Sequence, residues 1–338
     1  MEITEVSTEE WDRALPETGF ELFHTGTALS VLDRHTDGHL RRFVGYKGDN
    51  AVAMFPVFVV DRAVGRAVLS PPPGMGVPQL GPIVMPASPK RRKRERLNRE
   101  FVEAVLERCD VSGTGSLCRV ICGPDYTDPR PFAWNGLDVE TEFTYTLDTA
   151  QNSPEELLAG ASKSLRREVR DARETDVTVS VEGREAAQRV HEQTSDRYAE
   201  QDQEYALDRE YVTDLTAALL DEQRCRVYVA RDGDGEFLSG VTVLYSNESA
   251  YFWQGGTRVT HDGVSINSLL HWRIIEDLAA DPPRPETTRY DLLGANTERL
   301  CRYKAKFGGQ LVPYHVVESG GATMDIAKKA YQFVGRYG

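Results

Sequence analysis

The chain contains 338 residues, a length that predicts two domains of about 150 residues each. Its hydrophobic content of 40% is sufficient for buried cores, and no run of about 18 apolar residues is present that could span a membrane. The acidic N-terminus lacks the basic-then-apolar pattern of a secretion signal, so we expect a cytoplasmic protein.

Acidic residues outnumber basic residues by 53 to 40, which produces a net charge of −13. Only eight of the 40 basic residues are Lys, and the other 32 are Arg. An acidic surface that is poor in Lys suits a concentrated-salt cytosol, where the repulsion between carboxylates is screened. This composition favours a salt-loving source such as a halophilic archaeon, although an excess of Arg over Lys also follows from genome base composition.

The five cysteines do not have the spacing of a disulfide framework. Cys118 and Cys122 are close enough to suggest a metal site, but no His or second Cys pair stands near them. Because a zinc site needs four well-placed ligands, we predict no metal and free, buried thiols in a reducing compartment.

The first half of the chain has the pattern of a small mixed domain. Residues 1–45 predict a strand, a helix, a loop and a second helix, and residues 43–46 and 51–60 predict a β-hairpin across a polar turn. Residues 70–82 are too rich in Pro and Gly for a helix or an inner strand, so they predict a rigid loop. Ser88 and Pro89 then predict the start of a helix, with Ser88 as its N-cap.

The first turns of that helix carry an unusual number of cations. Positive charges at a helix N-terminus oppose the macrodipole, at a cost of a few tenths of a kcal/mol each. In an acidic protein this arrangement suggests an anionic partner such as tRNA or a lipid phosphate, and the alternative is a solvated surface helix. The cations of this run are Lys90, Arg91, Arg92, Lys93, Arg94, Arg96 and Arg99.

The second half begins with a predicted capping box formed by Ser153 and Glu156. Residues 157–175 predict a single helix whose apolar side packs on a sheet, while Lys163, Arg166 and Arg167 lie on a basic stripe on the other side. This stripe is expected to face outward or into a cleft, and Glu168, Asp171 and Glu174 partly neutralise it.

The elements that follow alternate in a recognisable order. Strands are predicted at 177–181, 225–230, 238–245 and 250–254, with helices at 185–200, 211–221 and 263–280. Trp253 and Gln254 are candidates for an exposed strand edge. The whole half is predicted to read β-α-α-β-β-β-α-β-β.

The closing segment combines a strand, a polar turn and a basic, aromatic stretch. Residues 290–293 predict a short strand that ends at Gly294. Residues 302–309, RYKAKFGG, predict a compact loop before a final strand at 310–312.

This closing segment resembles that of the FemAB-like transferases, which belong to the GNAT-related superfamily of acyl- and aminoacyltransferases. Tyr303 and Lys304 match an aromatic-Lys pair of that family, and residues 307–309 match its closing Phe-Gly. The resemblance extends to KSLRREVRDA at 163–172 and into the N-terminal half. His24 departs from the family pattern, because it stands where an aromatic-Gln-Ser turn is common.

The resemblance implies an α+β fold with tandem GNAT-like domains, each a mixed, mostly antiparallel sheet flanked by helices. We predict an N-terminal domain at residues 1–150 and a transferase domain at 151–312. The C-terminal part, residues 313–338 with a helix at 324–337, is expected to pack back on the first domain.

Amine attack on an ester or thioester carbonyl requires a proton acceptor and a group that stabilises the oxyanion. The sequence shows no Ser-His-Asp or Cys-His pairing, and the resemblance implies direct transfer without a covalent enzyme intermediate. Lys304 is the candidate cation and Asp291 the candidate proton acceptor, with a surface Lys and a structural Asp as the alternatives. The candidate substrate-binding residues are Tyr303, Arg302, Phe307, Trp253, Tyr198, Lys163, Arg166, Arg167 and Asn267.

The acyl donor is a co-substrate, and no tightly bound cofactor is expected. Acyl-CoA-dependent GNAT proteins carry Arg/Gln-x-x-Gly-x-Gly/Ala before a helix, whose N–H groups hold the pyrophosphate. The corresponding residues 258–265 keep one Gly and add Asp262, whose charge would repel phosphate. We therefore favour an aminoacyl-tRNA donor and an amine acceptor, with no DNA partner. An acyl-CoA-dependent N-acetyltransferase acting on a small amine or amino sugar, and a non-catalytic binding module, remain the alternatives.

Overall fold

The computed structural model describes residues 1–62, 65–86, 88–113 and 115–320. The described chain divides into two compact units, of which unit 1 comprises Met1–Glu142 and residues 313–320, and unit 2 comprises Phe143–Val312. The helix predicted at 324–337 lies outside the described residues.

Unit 1 is built on a sheet in the order β1-β2-β3-β4-β6-β15, in which only the β4–β6 pair is parallel. The short strand β5 pairs with β3. A 3-10 turn, Leu22–His24, separates the first two helices. The elements are β1 (Glu2–Glu5), α1 (Thr8–Ala14), α2 (Gly26–Arg34), β2 (His39–Lys47), β3 (Asn50–Arg62), β4 (Gly65–Ser70), β5 (Ile83–Val84), α3 (Arg91–Arg108), β6 (Ser116–Ile121), α4 (Arg130–Trp134) and β7 (Leu137–Asp148), with β15 (Gln310–Ser319) returning from the end of the chain.

The predicted hairpin of unit 1 is present, with β2 and β3 antiparallel and Phe43 opposite Phe55. Both of these rings are buried and pack in one core with Phe101 and Val105 of α3. The apolar residues of α3 recur at helical spacing, so one face of this helix covers the sheet. Its opposite face remains available for other contacts.

Unit 2 has a sheet in the order β7-β14-β11-β10-β9-β8, in which only the β11–β14 pair is parallel. A two-stranded ribbon, β12–β13, lies outside this order. The elements are α5 (Pro154–Gly160), α6 (Lys163–Ala172), β8 (Thr178–Glu182), α7 (Arg184–Ala199), α8 (Arg209–Asp221), β9 (Cys225–Arg231), β10 (Phe237–Tyr245), β11 (Ser249–Gly255), β12 (Thr260–His261), β13 (Val264–Ser265), α9 (Ile266–Ala280), β14 (Arg289–Asp291) and α10 (Glu298–Lys304).

The two units repeat one order of elements. Each has a strand, two helices, three antiparallel strands, a long helix, a parallel strand, a short helix and a final strand. This confirms the predicted tandem α+β architecture. The chain passes from unit 1 to unit 2 within β7, after Glu142, and returns within β15, after Val312. These crossings lie inside strands, whereas the sequence placed the first one between residues 150 and 151.

Two helix starts differ from the prediction. The single helix predicted at 157–175 is two helices, because Ser162 interrupts it. Its side chain accepts a hydrogen bond from the Leu165 N–H as an N-cap, and its own N–H donates to the Lys306 carbonyl at 2.8 Å. The predicted N-cap Ser88 is also wrong, since α3 begins at Arg91 after Lys90. Ser88 Oγ instead accepts a hydrogen bond from the Lys90 N–H at 3.4 Å.

The capping box of Ser153 and Glu156 is present as predicted and starts α5. All five cysteines are free thiols. None of the helices that the structure describes has both the length and the apolar character needed to cross a bilayer.

Candidate functional site

Strands β11 and β14 separate in the centre of unit 2. They pair in parallel from Ser249 opposite Arg289 to Tyr251 opposite Asp291. Beyond Asp291 the chain follows β7 instead, since the Leu292 N–H donates to the Tyr145 carbonyl at 2.9 Å. The remainder of β11 is also shifted by an irregularity in its pairing with β10 at Thr242 and Val243. The parallel pairing of β11 and β14 therefore ends at Tyr251 and Asp291.

A tight turn closes the end of β14. Leu293 and Gly294 both have left-handed backbone angles, with φ of 52° and 61°. Asp291 stabilises the turn, because its Oδ1 accepts a hydrogen bond from the Leu293 N–H at 2.8 Å. The carbonyl of Gly294 accepts a hydrogen bond from Lys304 Nζ at 3.0 Å. The turn therefore brings the two predicted catalytic candidates to the same place.

Asp291 is a buried carboxyl with few partners. Its Oδ1 accepts a second hydrogen bond from the Thr144 hydroxyl at 2.5 Å, and only 3% of the residue is exposed. Burial raises the pKa of Asp291 to about 6, against the opposing effects of the Thr144 hydrogen bond and the positive charge of Lys304. The carboxyl is therefore mostly ionised at neutral pH, and it binds a proton when the pH falls to about 6.

Lys304 is the last residue of α10, and it is 6% exposed. Burial lowers the pKa of Lys304 to about 8, and the nearby Asp291 partly offsets this effect. The loop predicted around Lys304 is wrong, because Thr297 caps a helix there by accepting from the Leu300 N–H at 3.4 Å. The helical backbone fixes the direction of the Lys304 side chain, and its ammonium group is hydrogen-bonded to the Gly294 carbonyl instead of to solvent.

A hydrogen bond connects two more of the predicted substrate-binding residues, Asn267 and Tyr303. Asn267 Nδ2 donates to the Tyr303 hydroxyl at 2.8 Å, which links α9 to α10. The other amide atom, Asn267 Oδ1, is buried without a hydrogen-bond partner among the described residues. An unpaired buried acceptor is costly, so it suggests a group that a ligand could satisfy.

His271 is a further candidate, which the sequence did not reveal. It lies one helical turn after Asn267, and its Nδ1 is 2.8 Å from the Tyr290 hydroxyl. Its ring stacks edge-on against Phe252 and Phe307 at centroid distances of 4.6 and 5.0 Å. Burial lowers the pKa of His271 to about 3, so the ring is neutral and acts as an apolar wall with one free nitrogen, Nε2. Its spacing of four residues from Asn267 was the available signal.

The remaining aromatic candidates have different positions. Phe307 is buried and packs edge-on against Tyr303 at 5.7 Å. Trp253 is also buried, against Tyr211 of α8, so the predicted exposed edge is wrong for Trp253.

The exposed edge is also wrong for Gln254, which is 3% exposed. Helices α7 and α8 cover this end of β11, a tertiary contact that the strand pattern does not show. Tyr198 is 38% exposed, and its ring lies 5.0 Å from that of Tyr205.

The basic candidates lie on exposed faces. Lys163, Arg166 and Arg167 project from the exposed side of α6, where Arg167 pairs with Asp171 at 3.3 Å. Arg302 is exposed and pairs with Glu298 on its own helix. The structure thus brings together Asp291, Lys304, Tyr303, Asn267 and Phe307, and it leaves the other candidates outside that group.

The start of α9 has a carboxylate beside it. Glu168 of α6 accepts a hydrogen bond from the Ser268 hydroxyl, in the first turn of α9, at 2.6 Å. Lys306 lies 3.7 Å from the same carboxylate. The Ile266 N–H, at the first position of the helix, already donates to the Val259 carbonyl at 3.1 Å. An acidic side chain therefore occupies part of the site that an anion would otherwise take at this helix terminus.

One group of possible metal ligands occurs among the described residues, at the β12–β13 ribbon. The ligand atoms of Asp176, His261 and Asp262 lie within 4.8 Å of one another. His261 Nε2 is 3.0 Å from Asp176 Oδ1, and both carboxylates are exposed. Three surface groups that already pair with each other do not make a metal centre.

Comparisons with known proteins bear on the fold and on the family of unit 2. Residues 159–305 match the family described as an acetyltransferase (GNAT) domain. A search of curated proteins found no match.

Among solved structures, FemX is similar over 99% of this chain and 100% of its own, with a TM-score of 0.67 and 12% identity. The C-terminal domain of a putative lysylphosphatidylglycerol synthetase from Agrobacterium fabrum is similar over 96% and 94%, with a TM-score of 0.57 and 15% identity. A tandem GNAT protein from the clavulanic acid biosynthesis pathway is similar over 95% and 99%, with a TM-score of 0.50 and 16% identity.

These similarities establish the fold of both units, and the family match covers the unit that contains Lys304 and Asp291. Residues 159–305, in unit 2, match the acetyltransferase (GNAT) domain family, and the whole chain has the two-unit fold that is seen in FemX and in a tandem GNAT protein.

Proposed function

We propose that this protein transfers an aminoacyl group from an aminoacyl-tRNA to an amine acceptor. The observation that carries the choice of donor is the Glu168 carboxylate bound to Ser268 at the start of α9. In a CoA-dependent enzyme of this fold the same helix terminus would receive the pyrophosphate, and the Glu168 carboxylate, although Lys306 lies 3.7 Å from it, already occupies part of that place. An aminoacyl-tRNA is an ester donor that needs no phosphate at the start of α9, so the Glu168 carboxylate does not oppose its binding.

The proposed reaction uses Lys304 and Asp291 in complementary roles. The acceptor nitrogen attacks the ester carbonyl, a C–N bond forms, and the carbonyl oxygen becomes an oxyanion. One N–H of the Lys304 ammonium is held by the Gly294 carbonyl, so the other two are available to stabilise that oxyanion. Asp291 accepts the proton lost by the amine, and the proton then passes to the ribose oxygen when the C–O bond breaks.

The basic stripe of α6 is the proposed contact for the tRNA backbone. Lys163, Arg166 and Arg167 are exposed, and the described residues place no carboxylate within ion-pair distance of Lys163 or Arg166. Each phosphate contact adds about 0.9 to the slope of log affinity against log salt. We also propose a cytoplasmic location, because all five cysteines are free and the proposed donor is a cytoplasmic molecule.

An acyl-CoA donor is the second candidate, because the matched family is described as an acetyltransferase domain. In that reaction the same two residues would act on a thioester, with a small amine or amino sugar as acceptor. A non-catalytic binding module with a decayed donor site is the third candidate.

The donor is tested by thermal shift and by transfer of label. We would compare charged tRNA, uncharged tRNA, acetyl-CoA and CoA for stabilisation of the protein, since a ligand that binds only the native state raises the melting temperature. Transfer of a radiolabelled amino acid from tRNA to an added polyamine would then report the reaction. Stabilisation and transfer with charged tRNA alone are expected, whereas a shift with acetyl-CoA and labelled acetyl transfer would replace the tRNA donor. No shift and no transfer would favour the binding module.

A matched pair of triple variants tests the tRNA contact. Lys163→Gln, Arg166→Gln and Arg167→Gln together should lower the salt slope of tRNA binding by about 2 to 3. The control changes three exposed arginines of α7 and α8, Arg184, Arg189 and Arg209, to Gln, and should leave the slope unchanged. Equal slopes for the two triple variants would remove α6 from the proposal.

A further inference from the structure

Two loops of unit 2 meet beside the start of β14. They are the turn 246–248 between β10 and β11 and the loop 281–288 between α9 and β14. The Thr287 hydroxyl donates to the Asn247 carbonyl at 3.2 Å, which holds the second loop against the first. This place is at the amino end of β14, whereas Asp291 is at its carboxyl end, so it is separate from the residues proposed for transfer.

Arg224 is a buried cation beneath the turn 246–248, and only 8% of the residue is exposed. Its guanidinium donates to the Tyr245 carbonyl and to Asn247 Oδ1, both at 3.2 Å. Among the described residues, the carboxylate within ion-pair distance is that of Glu222, and at 3.8 Å from Nε it is too far for a hydrogen bond. A guanidinium has more N–H groups than the two neutral oxygens occupy, so Arg224 has donors to spare.

Arg284, from the loop 281–288, brings a second positive charge to Arg224. Burial lowers the pKa of Arg224 to about 10, and the charge of Arg284 contributes to this fall. The effect of Arg284 exceeds the opposing effect of either nearby carboxylate, Glu222 or Glu286. Because the Glu222 carboxylate is only 3.8 Å from Arg224, the guanidinium of Arg284 lies comparably close to it. Two like charges are therefore neighbours where water has little access.

The side chain of Arg284 contains a buried donor without an acceptor. Its Nε is buried and has no hydrogen-bond partner, and no described carboxylate lies within ion-pair distance of this guanidinium. The backbone that carries it is held, since the Thr287 N–H donates to the Arg284 carbonyl at 3.0 Å. An unpaired buried N–H of a cation is costly in a folded protein, and it marks a place for a water molecule or an ion.

The charge of the pair distinguishes these two occupants. A water molecule would accept a hydrogen bond from Arg284 Nε, but it would leave the repulsion between the two guanidiniums in place. An anion would accept the same hydrogen bond and would also attract both cations. The cluster formed by Arg224, Arg284 and Asn247 therefore favours an anion.

We propose that Arg224 and Arg284 bind a small inorganic anion, either chloride or phosphate, at the amino end of β14. The Arg284 Nε–H and the spare N–H groups of Arg224 would be its donors. The anion is small because the two guanidiniums are close together and Arg224 is buried. Its binding would fasten the loop 281–288 to the start of β9 and so stabilise unit 2. This site does not depend on which acyl donor unit 2 uses.

Thermal unfolding of the full chain tests the site in three potassium salts at one ionic strength. The salts are chloride, phosphate and gluconate, and gluconate is the reference because it is too bulky for the site. Equal ionic strength keeps the screening of the net charge the same, and the general effect of each salt on stability cancels between the wild type and a variant. An anion that binds the native state raises the melting temperature.

Arg284→Gln should change the order of stabilities between the salts. In gluconate this variant should be at least as stable as the wild type, because it removes a like charge beside Arg224 and no hydrogen bond. In the salt of the bound anion, the wild type should melt at least about 3 °C above the variant. Comparison of chloride with phosphate then identifies the anion.

The control is Arg273→Gln, which removes a cation of α9 that pairs with Asp277 at 2.9 Å. It should differ from the wild type by the same amount in all three salts. A constant difference between the wild type and Arg284→Gln across the three salts would overturn the proposal. The proposal would also fail if Arg273→Gln lost the anion-specific stabilisation to the same extent, because the effect would then be one of overall charge. Arg284 is partly exposed and unpaired, so its variant is expected to fold.

Discussion

The side chain of Lys304 donates a hydrogen bond to the main-chain carbonyl of Gly294 at 3.0 Å. That carbonyl is presented by a left-handed turn that directly follows the buried carboxyl of Asp291. A helix terminus and a strand terminus thereby fix one ammonium group close to the point where β11 and β14 stop pairing. The relationship explains how a Lys can be buried in unit 2 and remain charged.

Replacing Lys304 with Met should lower kcat about 100-fold, because an oxyanion would lose a fixed cation in a buried site. The control is Lys306→Met, two residues away, whose partner is Glu168 at 3.7 Å. Steady-state rates and melting temperatures of the two variants provide the comparison. Full activity of a folded Lys304→Met protein would exclude the proposed role.

The rate should show a bell-shaped dependence on pH. Asp291 must be ionised to accept a proton, so activity falls below its pKa of about 6. Lys304 must be protonated, so activity also falls above its pKa of about 8. Lys304→Arg should remove the fall at high pH, because a guanidinium stays charged there. An unchanged alkaline limit in that variant would show that another group sets it.

Gly294→Ala should reduce both stability and activity. Gly294 has a φ of 61°, so a Cβ there costs about 1 kcal/mol, and this Cβ would lie 3.9 Å from Lys304 Nζ. Gly263→Ala is the control, since Gly263 has a φ of 77° but nothing within 4 Å. Both variants should melt at lower temperature by similar amounts. Only Gly294→Ala should lose activity beyond that expected from its stability, and equal activities would contradict the role of the turn.

Salt should stabilise the protein. The net charge of −13 produces repulsion between carboxylates, and raising KCl from about 0.1 M to about 1 M shortens the screening length from roughly 10 Å to 3 Å. The melting temperature should therefore rise over this range. A melting temperature that stays constant or falls as KCl is added would argue against adaptation to a concentrated-salt cytosol.

Much of the architecture could be predicted from local patterns. The hairpin of β2 and β3, the capping box at Ser153 and the buried face of α9 all depend on residues close together in the chain. Two helix starts differ from the prediction. A second helix starts after Ser162, whose N–H donates to the carbonyl of Lys306, a residue distant in the chain. Helix α3 starts directly after Lys90 and not after the predicted N-cap, Ser88.

The candidate site was partly predictable because several of its residues stand close together in one sequence motif. Asp291, Tyr303 and Lys304 belong to the closing segment that resembles the FemAB-like transferases. Their burial and their hydrogen bonds could not be predicted from that motif. His271 was missed because a lone His on a helix is usually part of a core, and only its contacts with Phe252 and Phe307 place it here.

The amino-acid sequence by itself determined the repeated α+β order, the acidic surface and the residue types available for acyl transfer, since these depend on composition and short-range periodicity. Only the tertiary structure decided which of those residues meet. Burial raises the pKa of Asp291, and the hydrogen bond that Thr144 donates to it from a distant part of the chain opposes that rise. The hydrogen bond that Ser268 donates to Glu168 places a carboxylate at the start of α9. Burial depends on what packs around a residue, and packing is a property of the folded chain.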